Sequence, residues 1–319
     1  MERSLAFLFI ALAAVCASAA DYPAKAVRII TPFPPGGSVD LVARLIGADL
    51  NKPLGQQIVI DNRTGASGMI GTELAKNAPA DGYTLLVNTL PFVTNQFAYD
   101  KVPYDPVNDF APISLLCSVA SVLVVHPALP VNTMKELIAL ARSKPNQITY
   151  GTAGAATNPH IAGELLNHLA KIKLLAVHYK GGGPAQIATL SGETQVYFVN
   201  AIPEALPHIQ AKKLRALGIT AIKRNPSAPD IPTMAEAGVP GYEFTTWQIR
   251  AAPKATPAPI IATLSEKLRG VLKTPEAAKR WQDRGLDLIA STPEEMTAHL
   301  KREIEKWRVV FKEQGIRAE

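Results

Sequence analysis

The residues whose types and spacing can do chemistry sit in loops, and the chemistry they offer is capture of an anion by the main chain. Pro32-Phe33-Pro34-Pro35-Gly36-Gly37-Ser38-Val39-Asp40 stands where a β-rich run gives way to a helical pattern. Prolines stiffen such a loop, glycines let a ligand approach the backbone, and Ser38 is placed to cap a helix whose first-turn N–H groups make an anion site. Phe33, Gly36, Gly37 and Ser38 are therefore candidate ligand contacts, although the same string also reads as a tight turn with a good cap. Asp40 is expected to interact with the helix dipole or to orient the loop rather than touch an anion.

The pattern recurs. Asn62-Arg63-Thr64-Gly65-Ala66-Ser67-Gly68-Met69-Ile70-Gly71 marks a second strand-to-helix junction and nominates Ser67 and Gly68. Thr89-Leu90-Pro91-Phe92-Val93-Thr94-Asn95 marks a third, read as a loop carrying Phe92 and Asn95. All three follow the carboxyl ends of strands and so fall on one edge of a sheet. Further on, the stretch Gly151 to His160 contributes Ala156, Thr157, Asn158 and His160, with Asn158 placed to cap a helix that starts at Pro159. Tyr179-Lys180-Gly181-Gly182-Gly183-Pro184 adds Gly181 and Gly182, and Asn200, just past a strand, completes the set. Lys180 reads as a solvated charge, though a carboxylate would welcome it.

Other chemistries lack their motifs. The glycines at 65, 68 and 71 do not make GxGxxG and no Walker sequence occurs, so nucleotide binding has no phosphate-cradling loop. There is no GxSxG, HExxH or CxxC, and the histidine spacing supports no metal site; no cofactor is expected. Asp61, Asp81, Asp105 and Asp109 beside scattered histidines keep a secreted hydrolase in view as the rival reading. The net charge of +6 is spread along the chain rather than massed in a stripe, which argues against a nucleic-acid partner.

The elements that must position these loops alternate. Val27 to Ile30, Leu41 to Leu50, Ile58 to Ile60, Met69 to Lys76 and Thr84 to Val87 read as a βαβαβ unit. A second series runs through strand Ile148 to Tyr150, helix Pro159 to Leu169, strand Leu174 to Tyr179, a helix after Pro184, and strand Gln195 to Val199. Between them the apolar run Ile113 to Val125 is long enough to leave one lobe and enter the other, and Phe244 to Ala251 is the candidate return. Thr133 and Glu136 form a capping box for a helix through Arg142, and after Leu214 to Leu217 a helix is expected around Met234 to Glu236. Three helices end the chain: Pro257 to Leu272, Pro275 to Arg284 and Pro293 to Glu313, opening on Thr-Pro. Two crossings imply a hinge.

The first residues bear on compartment. Arg3 precedes an apolar run from Leu5 to Val15, and Ala17, Ser18, Ala19 and Ala20 follow, which reads as a secretory signal peptide over residues 1–20. Cleavage after Ala19 or Ala20 both fit the small-residue rule; the second is preferred because polar Asp21 follows. The run is too short for a permanent anchor, which needs about 20 residues. Val15 is a poor neighbour for acylation at Cys16, and removal of the leader leaves Cys117 as the only cysteine, so no internal disulfide can form. The apolar setting of Cys117 predicts a buried, inert thiol.

Taken in order along the chain, these motifs resemble one family. Phe33-Pro34-Pro35-Gly36-Gly37 with Asp40, Asn62-Arg63 with Gly65 and Gly68, Ala80-Asp81-Gly82-Tyr83-Thr84, Pro103-Tyr104-Asp105-Pro106, His160 with Ala162-Gly163-Glu164, Tyr179-Lys180-Gly181, Ala205-Leu206-Pro207-His208 and Pro232-Thr233-Met234-Ala235-Glu236-Ala237-Gly238 carry the likeness. Together they resemble the Bug-type periplasmic substrate receptors of tripartite tricarboxylate transporters. The resemblance implies an α/β fold of two-lobed periplasmic-binding-protein (Venus flytrap) architecture, each lobe a mostly parallel sheet flanked by helices, with two hinge-crossing strands. Residues 21–120 and 246–319 are expected to form lobe 1, and 121–245 lobe 2. It further implies a monomeric, non-enzymatic protein of the periplasm that binds a small carboxylate through backbone N–H groups and waters at the loops of Gly36, Ser67 and Thr157. Its partners would be integral-membrane transporter subunits, or a membrane kinase if the receptor serves as a sensor.

The sequence departs from the usual pattern at Phe92, where many relatives carry histidine, and at Gln248 and Arg250, where tyrosine and an aliphatic residue are common. Phe92 is expected in the ligand loop, biasing the pocket toward an apolar body; the alternative is that it turns inward and fills core. Mass spectrometry of the exported protein is expected to show an N-terminus near Asp21, and an acylated Cys16 would overturn that expectation.

Overall fold

The computed structural model describes residues 22–314, so the proposed signal peptide lies outside the described residues. In chain order the elements are β1 (Val27–Thr31), α1 (Ser38–Leu54), β2 (Ile58–Asn62), α2 (Met69–Lys76), β3 (Thr84–Thr89), α3 (Pro91–Ala98), β4 (Phe110–Ala120) and β5 (Val122–Val125). There follow α4 (Met134–Ser143), β6 (Thr149–Thr152), α5 (Asn158–Ala170), β7 (Leu175–His178), α6 (Gly182–Leu190), β8 (Val196–Val199), α7 (Ile202–Gln210) and β9 (Arg215–Ile219). The last are β10 (Thr245–Pro253), α8 (Ala258–Leu272), α9 (Pro275–Gln282), β11 (Leu286–Leu288) and α10 (Pro293–Gln314).

The strands form two sheets, ordered β11-β4-β10-β3-β1-β2 and β7-β6-β8-β5-β9. The two α/β lobes are as expected, but the sheets are mixed rather than mostly parallel. β1, β2 and β3 pair in parallel, whereas β10 runs antiparallel to both β3 and β4. In the second sheet β6 is parallel to β7 and β8, and β5 is antiparallel to β8 and β9. The strands next to the crossings impose this, since a chain that leaves a sheet and later returns to it re-enters in the opposite sense.

The outward crossing is the single residue Ser121 between β4 and β5. It is pinned to the end of β9: Ser121 N donates to Thr220 Oγ1 at 2.9 Å, and Thr220 N donates to Ser121 O at 2.9 Å. The return falls at Phe244, whose N–H bonds Thr220 O, before β10 begins opposite Ala120. β10 itself belongs wholly to the first sheet, so the return crossing is a junction and not the long strand expected. Both crossings are thus tied to Thr220, leaving few backbone torsions to absorb motion between the sheets.

Packing explains the rest. α1 and α8 cover one face of the first sheet, with Val42, Ile46, Leu264 and Leu268 against Ile29, Val87 and Cys117. α3 and α10 cover the other face, where Trp307 and Phe311 join a core that continues across to Leu123, Phe198 and Ile161 of the second lobe. Glu303 accepts from the indoles of both Trp247 and Trp307, at 2.8 and 2.9 Å. Along β10, Trp247, Ile249 and Ala251 face this second core, so Gln248 and Arg250 point to the α1 side. Arg250 is fully buried there, burial pushes its pKa down to about 10, and its guanidinium nitrogens have no hydrogen-bond partner. Nothing in the structure explains an arginine at that position.

Several elements differ from expectation for local reasons. The capping box at Met234 to Glu236 forms, with Glu236 N on Thr233 Oγ1 at 3.1 Å, but Gly238 at φ +117 and the following Pro240 stop it after one turn, and no helix develops. α7 was hidden by Pro203 and Pro207; the first occupies the opening turn, where a missing N–H costs nothing. Thr292 and Glu295 cap α10 reciprocally, whereas Thr256 does not cap α8, whose N-cap is Pro257.

The third junction is the consequential difference. It is a helix, α3, and not a loop, so Phe92 at its second position turns inward. Phe92 is 1% exposed, stacked on Tyr104 at 5.6 Å between ring centroids and edge-on to Phe110 at 5.2 Å. The expectation that it shapes the ligand pocket is corrected: the aromatic trio is core. Phe92→His is therefore expected to destabilise the protein by about 1–3 kcal/mol, the cost of an unpaired buried polar group, and to leave ligand preference unchanged. Chemical unfolding beside a binding panel checks both, and an altered preference at intact stability would return Phe92 to the pocket.

His160, in the first turn of α5, is likewise buried. Its Nδ1 accepts the N–H of Ala156 at 2.9 Å, which fixes a residue in the left-handed region at φ 56. Burial, and after it the neighbouring His178, push the His160 pKa down to about 4. Between about pH 6.5 and 4 the unfolded chain takes a proton that the folded chain refuses, so stability falls as pH drops through that window. The expected loss is about 3 kcal/mol. His160→Asn, which keeps an acceptor near the Nδ1 position, should flatten the dependence; equal slopes for both proteins would assign the titration elsewhere.

Candidate ligand-binding cleft

A cavity of about 190 Å3 lies between the two sheets. The first lobe lines it with the loop Phe33 to Val39 and with Thr89 and Pro91; the second with Ala153, Thr157, Asn158, Pro159, the run Gly181 to Pro184, and Asn200. No charged side chain lines it among the described residues.

Each wall is anchored from behind. Asp40 accepts from Gly36 N at 3.0 Å, Arg44 Nε at 2.8 Å and Asn62 Nδ2 at 3.0 Å, and Asn62 also holds Phe33 O at 3.0 Å. Burial pushes the Asp40 carboxyl up, but hydrogen bonds from Arg44, Gly36 and Asn62 outweigh it and hold the pKa below its ordinary value. Asp40 therefore stays ionised and orients the loop. On the other side Tyr197 Oη donates to Gly182 O at 3.2 Å.

Three helices open at the cavity: α1 at Ser38, α5 at Asn158 and α6 at Gly182. Their N-caps are Gly37, Thr157 and Gly181, and none makes a side-chain capping bond. The expected caps are thereby corrected. Ser38 and Asn158 lie one residue inside their helices, and the Thr157 hydroxyl donates to Gly154 O at 2.6 Å instead of capping. An uncapped first turn keeps its N–H donors available, and the helix dipole favours negative charge there. Thr89 Oγ1, Asn158 Oδ1 and Asn200 Oδ1 are buried at the same cavity without hydrogen-bond partners. The arrangement suits a small anion held by main-chain dipoles, with polar positions left for water or further ligand oxygens.

Of the residues nominated from sequence, Phe33, Gly36, Gly37, Ser38, Thr157, Asn158, Gly181, Gly182 and Asn200 stand on the cavity wall. Ser67, Gly68, Phe92, Asn95, Ala156 and His160 do not. Ser67 Oγ instead reaches across the mouth and donates to Ala155 O at 2.6 Å, with Tyr99 Oη 2.8 Å away. Gly68 packs beneath Phe33, where a Cβ would stand 3.1 Å from the ring. Asn95 is buried, and its Nδ2 bonds Ser67 O and Tyr104 Oη, each at 3.1 Å. Ala156 and His160 brace each other below the wall. At the rim Gly181, at φ +114, meets Pro34, whose Cγ would lie 3.0 Å from a Cβ at that position. The lobes therefore touch on both sides of the mouth.

The sequence reading did not nominate Pro34, Pro35, Val39, Thr89, Pro91, Ala153, Pro159, Gly183 or Pro184. Thr89 and Pro91 carried a signal, a strand end followed by proline at a helix start, that was taken for a loop. Cys117, in contrast, is buried as expected, and burial pushes its thiol pKa far up.

The comparisons agree with this geometry. A model of the tripartite tricarboxylate transporter family receptor matches residues 42–316. The protein BugT of Bordetella pertussis is 34% identical over 99% of this chain and 98% of its own length. A UPF0065 protein from the tcbD-tcbE intergenic region of Pseudomonas sp. strain P51 is 35% identical over 93% of this chain and 88% of its own. Among solved structures, R. palustris Rpa4515 with adipate superposes with a TM-score of 0.89 at 35% identity, covering 92% of this chain and 99% of that one. MatC from Rhodopseudomonas palustris with bound malate gives 0.85 at 31% identity, covering 91% and 99%. A cleft between two α/β lobes and a whole-chain match to these receptors lead to one assignment: the chain belongs to the tripartite tricarboxylate transporter receptor family.

Proposed function

We propose that this protein is an exported periplasmic receptor that captures a small carboxylate between its lobes and delivers it to the membrane subunits of a tripartite transporter, with no catalysis of its own. The observation that carries the reading is the convergence of three uncapped helix N-termini on a cleft without charged side chains. A carboxylate needs N–H donors more than it needs a cation. The relatives support the ligand class, since one similar structure holds adipate and another malate. The volume of about 190 Å3 falls below the roughly 300–1,000 Å3 of drug-sized pockets, which favours a compact ligand.

A hydrolase would need a nucleophile beside a base at the cleft. His160 and Cys117 are both buried, and neither lines it. The described helices include none long and apolar enough to cross a membrane.

Titration calorimetry and thermal unfolding with mono-, di- and aromatic carboxylates test the proposal. Saturable stoichiometric binding is expected, stabilising the protein by about 2.7 kcal/mol at a hundredfold excess over Kd, with no turnover of esters or amides. Measurable turnover, or indifference to every carboxylate, would overturn it.

A further inference from the structure

The second lobe carries a recess far from the cleft. α4, the last turn of α5 and the turn Gly238 to Pro240 enclose a hollow of about 350 Å3, floored by Ile138, Leu169 and Val239. A second hollow of about 340 Å3, lined by Met134 and Leu217, adjoins it, and Lys135 is common to both. α5 opens at the cleft with Asn158 and reaches the groove with Leu169, so roughly 16 Å of helix separates the two sites.

The charge of this groove is one-sided. Lys135 and Arg142 line it and, among the described residues, no acidic side chain does. Arg142 Nη2 donates to Ala170 O at 2.8 Å and Asn146 N to Lys173 O at 2.9 Å, which brings Lys144, Lys171 and Lys173 to the same end of the lobe. None of these five cations makes an ion pair among the described residues. The neighbouring carboxylates are engaged elsewhere: Glu136 accepts from Asn132 N, and Glu236 from Thr233 N and Arg224 Nε. Helix electrostatics account for Arg142, which stands in the last turn of α4, but not for Lys135, which stands in the first, where the dipole disfavours a cation. The Lys135 stem lies along Gly238, where a Cβ would come within 3.3 Å of its Cγ, and this keeps the residue between the two hollows.

We propose that this groove is the seat on which the membrane subunits of the transporter dock, through a receptor-facing loop that sets a carboxylate against Lys135 and Arg142 and an apolar side chain on the floor between them. The inference rests on the receptor reading above and adds the surface by which the partner holds the protein. Charge selects this partner: membrane proteins keep their excess of lysine and arginine on the cytoplasmic side, so loops facing the receptor leave their carboxylates uncompensated. Shape favours a protein loop over the bilayer. A lipid surface takes up apolar side chains that protrude, whereas here they are sunk, Ile138 being 9% and Val239 1% exposed. The whole groove belongs to the chain between the crossings at Ser121 and Phe244, so it keeps its form as the lobes close and holds loaded and empty receptor alike.

The test uses the mature protein and vesicles of phosphatidylethanolamine and phosphatidylglycerol, with and without the reconstituted membrane subunits. The wild type is expected to sediment with the subunit-bearing vesicles and not with the empty ones, and to bind more weakly as salt is raised. Lys135→Glu combined with Arg142→Glu should weaken docking about tenfold or more, with or without carboxylate present. Ala139→Trp, at an exposed position of the same hollow, fills it without touching the charge and should weaken docking comparably. Lys301→Glu, exposed on α10, should leave docking within about twofold, and every variant should bind the acids of the carboxylate panel within about twofold of wild type. Should the double reversal fail to fold, Lys135→Gln takes its place, with an expected loss of about threefold. Docking that survives either the charge change or Ala139→Trp overturns the groove as the seat, and binding of the wild type to empty vesicles overturns it in favour of an anionic lipid surface. A wild type that ignores the subunits but binds carboxylates overturns the docking and leaves ligand capture standing, whereas one that binds no carboxylate overturns the receptor reading itself.

Discussion

The first-turn N–H groups of α1, α5 and α6 impose the constraint on which the cleft depends. Every helix leaves such donors unpaired, and most proteins satisfy them with a serine, threonine or aspartate at the N-cap. Here Gly37 and Gly181 have no side chain to offer, and Thr157 spends its hydroxyl on Gly154 O. The donors remain, and they meet in one cavity because three strand-to-helix junctions from two sheets are brought face to face. Asp40, which might have neutralised the site, is instead turned back to hold Gly36, Arg44 and Asn62. The negative side chain closest to the loop thus builds the positive end of the pocket.

Closure adds a second layer. Ala66, Ser67 and Ala156 lie in the left-handed region at φ 46, 50 and 56, on the loops that meet at the mouth. Each such conformation costs a residue with a side chain roughly 1–2 kcal/mol, so the surrounding contacts must hold it. Ser67 is held by Ala155 O and Tyr99, and Ala156 by His160. The first of these exists only while the lobes touch. A ligand that prefers the closed form shifts the population by its differential affinity, and the pinned crossings at Ser121 and Phe244 confine the motion to a few torsions.

The fold was legible in the chain because its signals are local. Apolar runs such as Val27 to Ile30 and Thr84 to Val87 report strands buried on both faces, and the alternation with helical periodicity reports βαβ units. The loops rich in glycine and proline were legible for the same reason, and those at Phe33 to Val39 and Gly181 to Pro184 do form cavity walls, whereas the loop at Asn62 to Gly71 does not. Errors arose where one residue of register changes the outcome. Reading Ser38 and Asn158 as caps, one position late, missed that the first turns are uncapped. Taking Thr89 to Asn95 as a loop placed Phe92 and Asn95 toward the ligand, when the helix Pro91–Ala98 rotates both into the interior.

By itself the sequence determined the class of fold, the order of elements and the segments from which a cleft had to be made. These follow from periodicity, turn chemistry and the strand-end rule, all readable within a dozen residues. Only the tertiary structure decided which side chains line the cleft, which brace it and which close it. Ser67 meets Ala155 across 88 positions of chain, and Gln248 meets Thr89 because a strand returning from the other lobe inserts between β3 and β4. Such pairs are set by long-range packing and register, for which a single sequence carries no local signal.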